Sequence, residues 1–338
     1  MINFKALESI IKDNHRFLIT THVNPDADAI GSEIALSEIL LKLGKEIAII
    51  NHSATPYNLK FLDRNNLIEQ FNLSLHQNIF NEYDVLVALD FNRADRMVKM
   101  KEYFVQSTAL KICIDHHQDA EDFVNYQFID TFYSATAHIL YDFIKNTNIV
   151  SLDYNIALPI YAGIMTDTGS FRFERTTPNL HRIAAELLET GVNPSEVYDK
   201  IYDQSYFSKI KLLGIALSSL KLYGQTNQVA YMILTQKDFK ENNGLESDTE
   251  LFVNFSLSIQ NVRVGILFIE LNNGFKVSFR SKGNIPVNKL AGEFGGGGHI
   301  NAAGARFINE NMFNYIPLIL KKSEEYVNTY YEDSNVQA

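Results

Sequence analysis

The chain has 338 residues, 46% hydrophobic and 21% charged, which excludes a disordered or low-complexity protein and leaves room for two globular domains. Its formal charge is −10, concentrated in the first half: residues 1–190 carry −9 and residues 211–338 carry zero. Bulk charge of this sign excludes a tight grip on long nucleic acid or an anionic membrane.

The opening segment, MINFKALESIIKDNH, alternates apolar and charged residues and reads as a short amphipathic helix, not a signal peptide. No run approaches the roughly 18 apolar residues of a membrane span, so a cytoplasmic protein is expected. Apolar, β-branched runs at 17–21, 46–50, 84–89 and 110–114 are continuous, as expected for strands of a parallel sheet buried on both faces. Cys113, the lone cysteine, lies in the fourth run; it can form no internal disulfide and reads as a buried, inert thiol. Between the first two runs, Ile34, Leu36, Ile39, Leu40 and Leu43 predict a helix over 31–43 that Gly44 stops, with Ser32 as a capping or structural group at its start.

Further helices are predicted at 135–146, 154–166 and 180–190, with Ser134 and Asp153 as N-caps of the first two and Gly191 as the stop of the third. Pro159 weakens the second, since proline kinks a helix interior. Residues 191–208 read as a connector with some helix. A helix over 206–222 follows, then strands at 228–235, 261–271 and 275–281, the last two flanking the hairpin signal Asn272-Asn273-Gly274. A final helix spans 312–331. The fold class is α/β: a doubly wound parallel-sheet domain over 1–190, a connector over 191–208, and a smaller α+β domain over 209–338.

Chemistry gathers where strands end. The first strand runs into His22, Asp26 and Asp28 in one loop, the third ends on Asp90, and the fourth ends on Asp115, His116 and His117. In parallel sheets, ligands bind beyond these carboxyl ends. A core has no use for such groups at three strand ends, and together they would repel or protonate unless a cation held them. Mixed imidazole and carboxylate donors suit manganese, zinc, iron or cobalt better than calcium. Asp167, at the end of an apolar helix, is a further acid. In the second half, four glycines, Gly295 to Gly298, precede His299 and then Ala302-Ala303-Gly304; such a run can cradle an anion. Residues 276–289 hold Lys276, Arg280, Lys282 and Lys289 and no acid; Lys276 and Lys282 read as solvated surface charges.

These motifs, in this order, resemble the DHH phosphoesterase family with its C-terminal DHHA domain, and within it the short two-domain nanoRNase and 3′-phosphoadenosine-5′-phosphate phosphatase branch. Ala27 departs from the glycine of many relatives. The resemblance implies two divalent ions, manganese the implied occupant: His22, Asp26 and Asp90 on the first, and Asp28, Asp90, His116 and Asp167 on the second, with Asp90 shared. It implies catalytic roles for His117, facing the substrate phosphate, and for Asp115, orienting a neighbouring histidine. Arg280, Ser281, Gly296, Gly297, Gly298 and His299 would bind the substrate's terminal phosphate across a cleft between the domains, and Arg93 is a further phosphate candidate. The implied activity is two-metal activation of a bridging water, trimming short oligonucleotides such as pApA to 5′-mononucleotides and converting 3′-phosphoadenosine 5′-phosphate to AMP.

Two other readings stay open: a manganese inorganic pyrophosphatase, and a non-catalytic nucleotide sensor on the same fold. The expected partners are short oligonucleotides or a nucleotide bisphosphate, with no long nucleic acid and no membrane; a homo-oligomer is compatible with the sequence. Two divalent ions would offset the charge of Asp26, Asp28, Asp90 and Asp167, so the acidity narrows the substrate to few phosphates and does not exclude nucleotides.

Overall fold

The computed structural model describes residues 2–335. Met1 and residues 336–338, within the expected domain spans, lie outside the described residues. The chain divides into two compact units, Met1–Gln204 and Ser205–Ala338.

The first unit runs α1 (Phe4–Asp13), β1 (Arg16–Thr21), α2 (Ala27–Lys42), β2 (Glu46–Asn51), β3 (Ile68–Gln70), α3 (Leu73–His76), β4 (Val85–Leu89), α4 (Lys101–Gln106), β5 (Leu110–Asp115), β6 (Tyr126–Ile129), α5 (Thr136–Thr147), α6 (Tyr154–Asp167), α7 (Pro178–Glu189) and α8 (Pro194–Tyr202). Its six-stranded sheet has the order β3-β2-β1-β4-β5-β6, and every pairing is parallel. That order reverses direction between β1 and β4, so a crevice opens beyond their carboxyl ends. Thr21 pairs with Leu89 and Leu89 with Ile114. The three strands therefore end level, and the residues at their ends are neighbours.

Alternate residues of these strands face opposite cores. Phe17, Ile19, Val85, Val87, Leu89, Ile112 and Ile114 belong to one cluster with α2, α5 and α6. Leu18, Leu86, Ala88 and Cys113 face Phe80, Met97 and Phe104 on the other side. Both faces are covered, which is why the strands read as continuous apolar runs. Cys113 is buried as expected, and burial pushes its thiol well above the ordinary range.

Two helix starts differ from expectation. Helix α2 begins at Ala27, because the Asp26 carboxylate accepts hydrogen bonds from the N–H groups of Asp28 and Ala29. Asp28 thus lies in the first helical turn instead of a loop. Ser32 sits inside the helix and caps nothing; its Oγ is 3.4 Å from Asp28 Oδ1. Helix α5 has no cap from Ser134: the Thr136 and Ala137 N–H groups donate to Asp28 instead, at 2.6 and 2.9 Å. Pro159 leaves α6 continuous over Tyr154–Asp167, and Asp153 caps it as predicted. Strands β3 and β6 carry no clear signal, being only three and four residues long.

The second unit runs α9 (Phe207–Ser218), β7 (Lys221–Tyr223), β8 (Val229–Leu234), α10 (Gln236–Asn242), β9 (Val264–Leu271), β10 (Gly274–Ser281), α11 (Val287–Gly292), β11 (Gly297–His299), β12 (Ala302–Ile308) and α12 (Met312–Asn335). Its sheet has the order β11-β12-β10-β9-β8-β7, antiparallel except for β8 with β9. Leu271 pairs with Gly274 across the predicted hairpin. The helix expected over 206–222 ends at Ser218, and its tail becomes the edge strand β7. Phe275, Val277 and Phe279 alternate into a core with Ile319 and Leu320 of α12. No helix among the described residues is long and apolar enough to cross a membrane.

Candidate active site

The level strand ends of the first unit bring the expected donors together. His22 follows β1, Asp90 follows β4 and Asp115 closes β5. Asp90 is a non-glycine residue at φ 65°, in the sparsely populated left-handed region. Its Oδ2 lies 3.5 Å from His22 Nε2, and its Oδ1 lies 3.5 Å from His116 Nε2. His116 Nε2 is also 3.1 Å from Asp167 Oδ2 and 3.7 Å from Asp28 Oδ2. Donor atoms of His22, Asp26 and Asp90 fall within 4.8 Å of one another, as do those of Asp28, His116 and Asp167 and those of Asp90, His116 and His117.

Ring orientation follows from the backbone. His22 Nδ1 is 3.0 Å from the Val23 carbonyl, and His116 Nδ1 is 3.4 Å from the Tyr133 carbonyl. Carbonyls only accept, so each Nδ1 carries a proton and each Nε2 turns to the carboxylates. Burial, which disfavours the charged form, lowers the His22 pKa. Burial and then repulsion from Asp28, Asp26 and Asp167 raise Asp90 well above the carboxylate range. Asp28 is raised by burial, and burial with Asp28 beside it lifts Asp167 to about 7. For His116, burial acts downward, but the carboxylates of Asp167 and Asp28 prevail and hold it up at about 9.

This set fits a divalent cation. His116 Nε2 is buried without an aligned hydrogen bond, although three carboxylates surround it. Imidazole Nε2 atoms interleaved with carboxylate oxygens are the donors that transition-metal ions prefer, and the Nδ1 contacts to carbonyls are the usual outer support of ligating histidines.

His117 is one-third exposed, and its Nδ1 lies 2.7 Å from the buried Asp115 Oδ1. Arg93 is exposed and pairs with Asp95 at 3.4 Å. In the second unit, the glycine run is partly a strand and not an open loop: Gly297, Gly298 and His299 pair with Gly304, Ala303 and Ala302. A Cβ at Gly296 would lie 2.2 Å from the Gly304 carbonyl, and one at Gly298 2.5 Å from that of Ala302, so these two glycines are required by strand contact alone. A Cβ at Gly297 would meet nothing within 4 Å. Arg280 is half-buried on β10, opposite Ala302, with Nη1 on its own neighbour's carbonyl, Phe279. The Ser281 hydroxyl donates to the Ile285 carbonyl and accepts from Asn301, so it braces the turn before β12.

Comparison with known proteins fits this geometry. The N-terminal domain of the DHH family matches residues 16–164, and the DHHA1 domain matches residues 227–329. A bifunctional oligoribonuclease and PAP phosphatase NrnA of Thermus thermophilus is 35% identical over 290 residues, 85% of this chain and 82% of that protein. The chain belongs to the DHH family. The crystal structure of an exopolyphosphatase-related protein from Bacteroides fragilis superposes with a TM-score of 0.91 at 31% identity, covering 96% of each chain. Exonuclease RecJ bound to manganese shares the fold, with a TM-score of 0.53 at 13% identity over 97% of this chain and 94% of that one.

The DHH unit also holds site residues that the sequence reading passed over. Thr136 donates its hydroxyl to Asp90 Oδ1 at 2.9 Å. Asn92 donates to the carbonyls of His117 and Gln118 at 2.9 and 3.0 Å, tying the loop after β4 to the loop after β5. Both are ordinary polar residues in sequence. Thr136, at the start of a predicted helix, carried a faint signal; Asn92, two residues beyond Asp90, carried none.

Proposed function

We propose that this DHH-family chain is a phosphoesterase that hydrolyses short oligonucleotides to 5′-mononucleotides and converts 3′-phosphoadenosine 5′-phosphate to AMP, with manganese as its cation. The observation that carries the reading is the shared Asp90 carboxylate, whose two oxygens face two histidines from different strand ends. His22, Asp26 and Asp90 would hold one ion; Asp28, Asp90, His116 and Asp167 would hold a second. Bound divalent ions supply Lewis-acid neutralisation of phosphoryl charge and activation of water.

The chain's own groups do the rest. Asp115 fixes the His117 ring so that its far nitrogen can meet a phosphoryl or leaving oxygen. Within the DHHA1 unit, Arg280, Gly296, Gly297, Gly298 and His299 are the candidates for a substrate phosphate, with Arg280 able to fork onto its oxygens; within the DHH unit, Arg93 is a further phosphate candidate. The names of the Thermus thermophilus and RecJ relatives support a nucleotide substrate and manganese respectively.

The test is a product time course with purified protein and manganese on labelled di- to pentanucleotides, on 3′-phosphoadenosine 5′-phosphate and on pyrophosphate. AMP from pApA is expected. Turnover of pyrophosphate alone would transfer the site to a pyrophosphatase, and no turnover of any substrate would leave a sensor.

A further inference from the structure

We propose that Thr136 is a positioning residue that sets the Asp90 carboxylate, and with it the affinity of the site for divalent metal. The inference rests on the metal-dependent reading above and adds a residue outside the donor set.

A carboxylate turns easily about its last torsion, where the energy wells are broad. Asp90 has to present Oδ2 to the His22 side and Oδ1 to the His116 side at once. A hydrogen bond of 2.9 Å from Thr136 Oγ1 to Oδ1 opposes that rotation. Threonine suits the task because its branched Cβ restricts χ1. Thr136 is the first residue of α5, so no preceding helical turn offers its hydroxyl a competing carbonyl. Its own N–H donates to Asp28 Oδ2 at 2.6 Å, and the next N–H donates to Asp28 Oδ1 at 2.9 Å. One helix start thus holds two carboxylates of the site by three hydrogen bonds, and Thr136 is fully buried. Each carboxylate oxygen keeps lone-pair capacity beyond the bond it accepts, so fixing and ligating are compatible.

The experiment measures manganese binding to the full chain by calorimetry and by the electron paramagnetic resonance of free manganese, for wild type, Thr136→Val, Thr136→Ala and Thr136→Ser. Valine keeps the shape and removes the donor; alanine removes both; serine keeps the donor. Loss of an outer partner typically costs about 10–100-fold in metal affinity. That loss is expected for valine and alanine, with serine close to wild type and KM for pApA at saturating manganese little changed. If valine fails to fold, the alanine and serine pair decides the outcome. Wild-type affinity in the valine or alanine variant, or a serine variant as weak as alanine, would overturn the role of the hydroxyl. A wild-type chain that binds no manganese would instead overturn the metal reading and this inference with it.

Discussion

The His117 imidazole donates from Nδ1 to Asp115 Oδ1 at 2.7 Å, from one-third exposure to complete burial. Among the described residues, Asp115 Oδ2 has no hydrogen-bond partner. The pair fixes the tautomer of His117. Asp115→Asn can turn an N–H toward the ring and force the opposite tautomer. General acid–base assistance is typically about 10²–10⁴-fold, so kcat on pApA should fall within that range. Manganese affinity should stay near wild type, because neither Asp115 nor His117 belongs to the two sets proposed to hold the ions, His22, Asp26 and Asp90, and Asp28, Asp90, His116 and Asp167. Calorimetry beside steady-state kinetics checks both; loss of manganese binding would show that Asp115 acts on the ligands instead.

Metal binding should release protons. Surrounding carboxylates hold His116 at about 9, and burial holds Asp167 at about 7 and Asp90 well above its ordinary value. All three must deprotonate to ligate, so cation and protons compete. Affinity should therefore rise as pH increases from 6 to 8, by up to about tenfold per unit for each proton displaced. Titrations at pH 7 in two buffers of different ionisation enthalpy count the protons. An affinity independent of pH would refute the competition.

Much of this was legible in the sequence because parallel sheets obey strict rules. Continuous apolar runs identify doubly covered strands, and the residues after them lie on one edge; His22, Asp90 and His116 follow from that logic. The boundaries were less legible. Asp28 falls in the expected loop because the helical face is set by Ile34, Leu36, Ile39, Leu40 and Leu43, yet Asp26 caps a helix that already starts at Ala27. Ser134 looked like a cap for α5, but the cap comes from Asp28, 108 residues away from Thr136 in sequence. No local pattern can report such a partner. The glycine run was read as a cradle, whereas two of its glycines answer to the close passage of β12.

Gly163 tests how tightly α2, α5 and α6 meet behind the site. A Cβ there would lie 2.6 Å from Asp28 Oδ1 and 2.7 Å from the Ala137 Cβ. Helix propensity alone favours Gly→Ala by about 1 kcal/mol. Overpacking a closed core typically costs about 1–3 kcal/mol, and here the obstacle is a buried carboxylate already held by two N–H groups. Gly163→Ala should therefore destabilise the chain in urea melts and weaken manganese binding. A variant more stable than wild type with full affinity would show that the helices can part at little cost.

Glu33 offers a test of burial away from the metal donors. It is completely buried in α2, with Oε2 accepting from Asn51 Nδ2 at 2.8 Å and Oε1 without a hydrogen-bond partner. Burial pushes its pKa up from 4.5 to about 8, against the pull of the Asn51 bond. A carboxyl whose folded pKa is raised stabilises the fold fully below its unfolded pKa, and that contribution is lost as pH climbs through the folded value. Glu33 should accordingly tilt stability downward between about pH 4.5 and 8, by at most about 1.4 kcal/mol per unit. Glu33→Gln keeps a carbonyl oxygen for Asn51 and cannot ionise. Asp90 and Asp167 are raised in the same direction, but they act alike in both proteins and cancel in the difference. Urea melts of the two proteins in chelator at pH 5, 6.5 and 8 should show the glutamine variant gaining on wild type at each step. Parallel stability curves would mean that water or local opening relieves the buried charge.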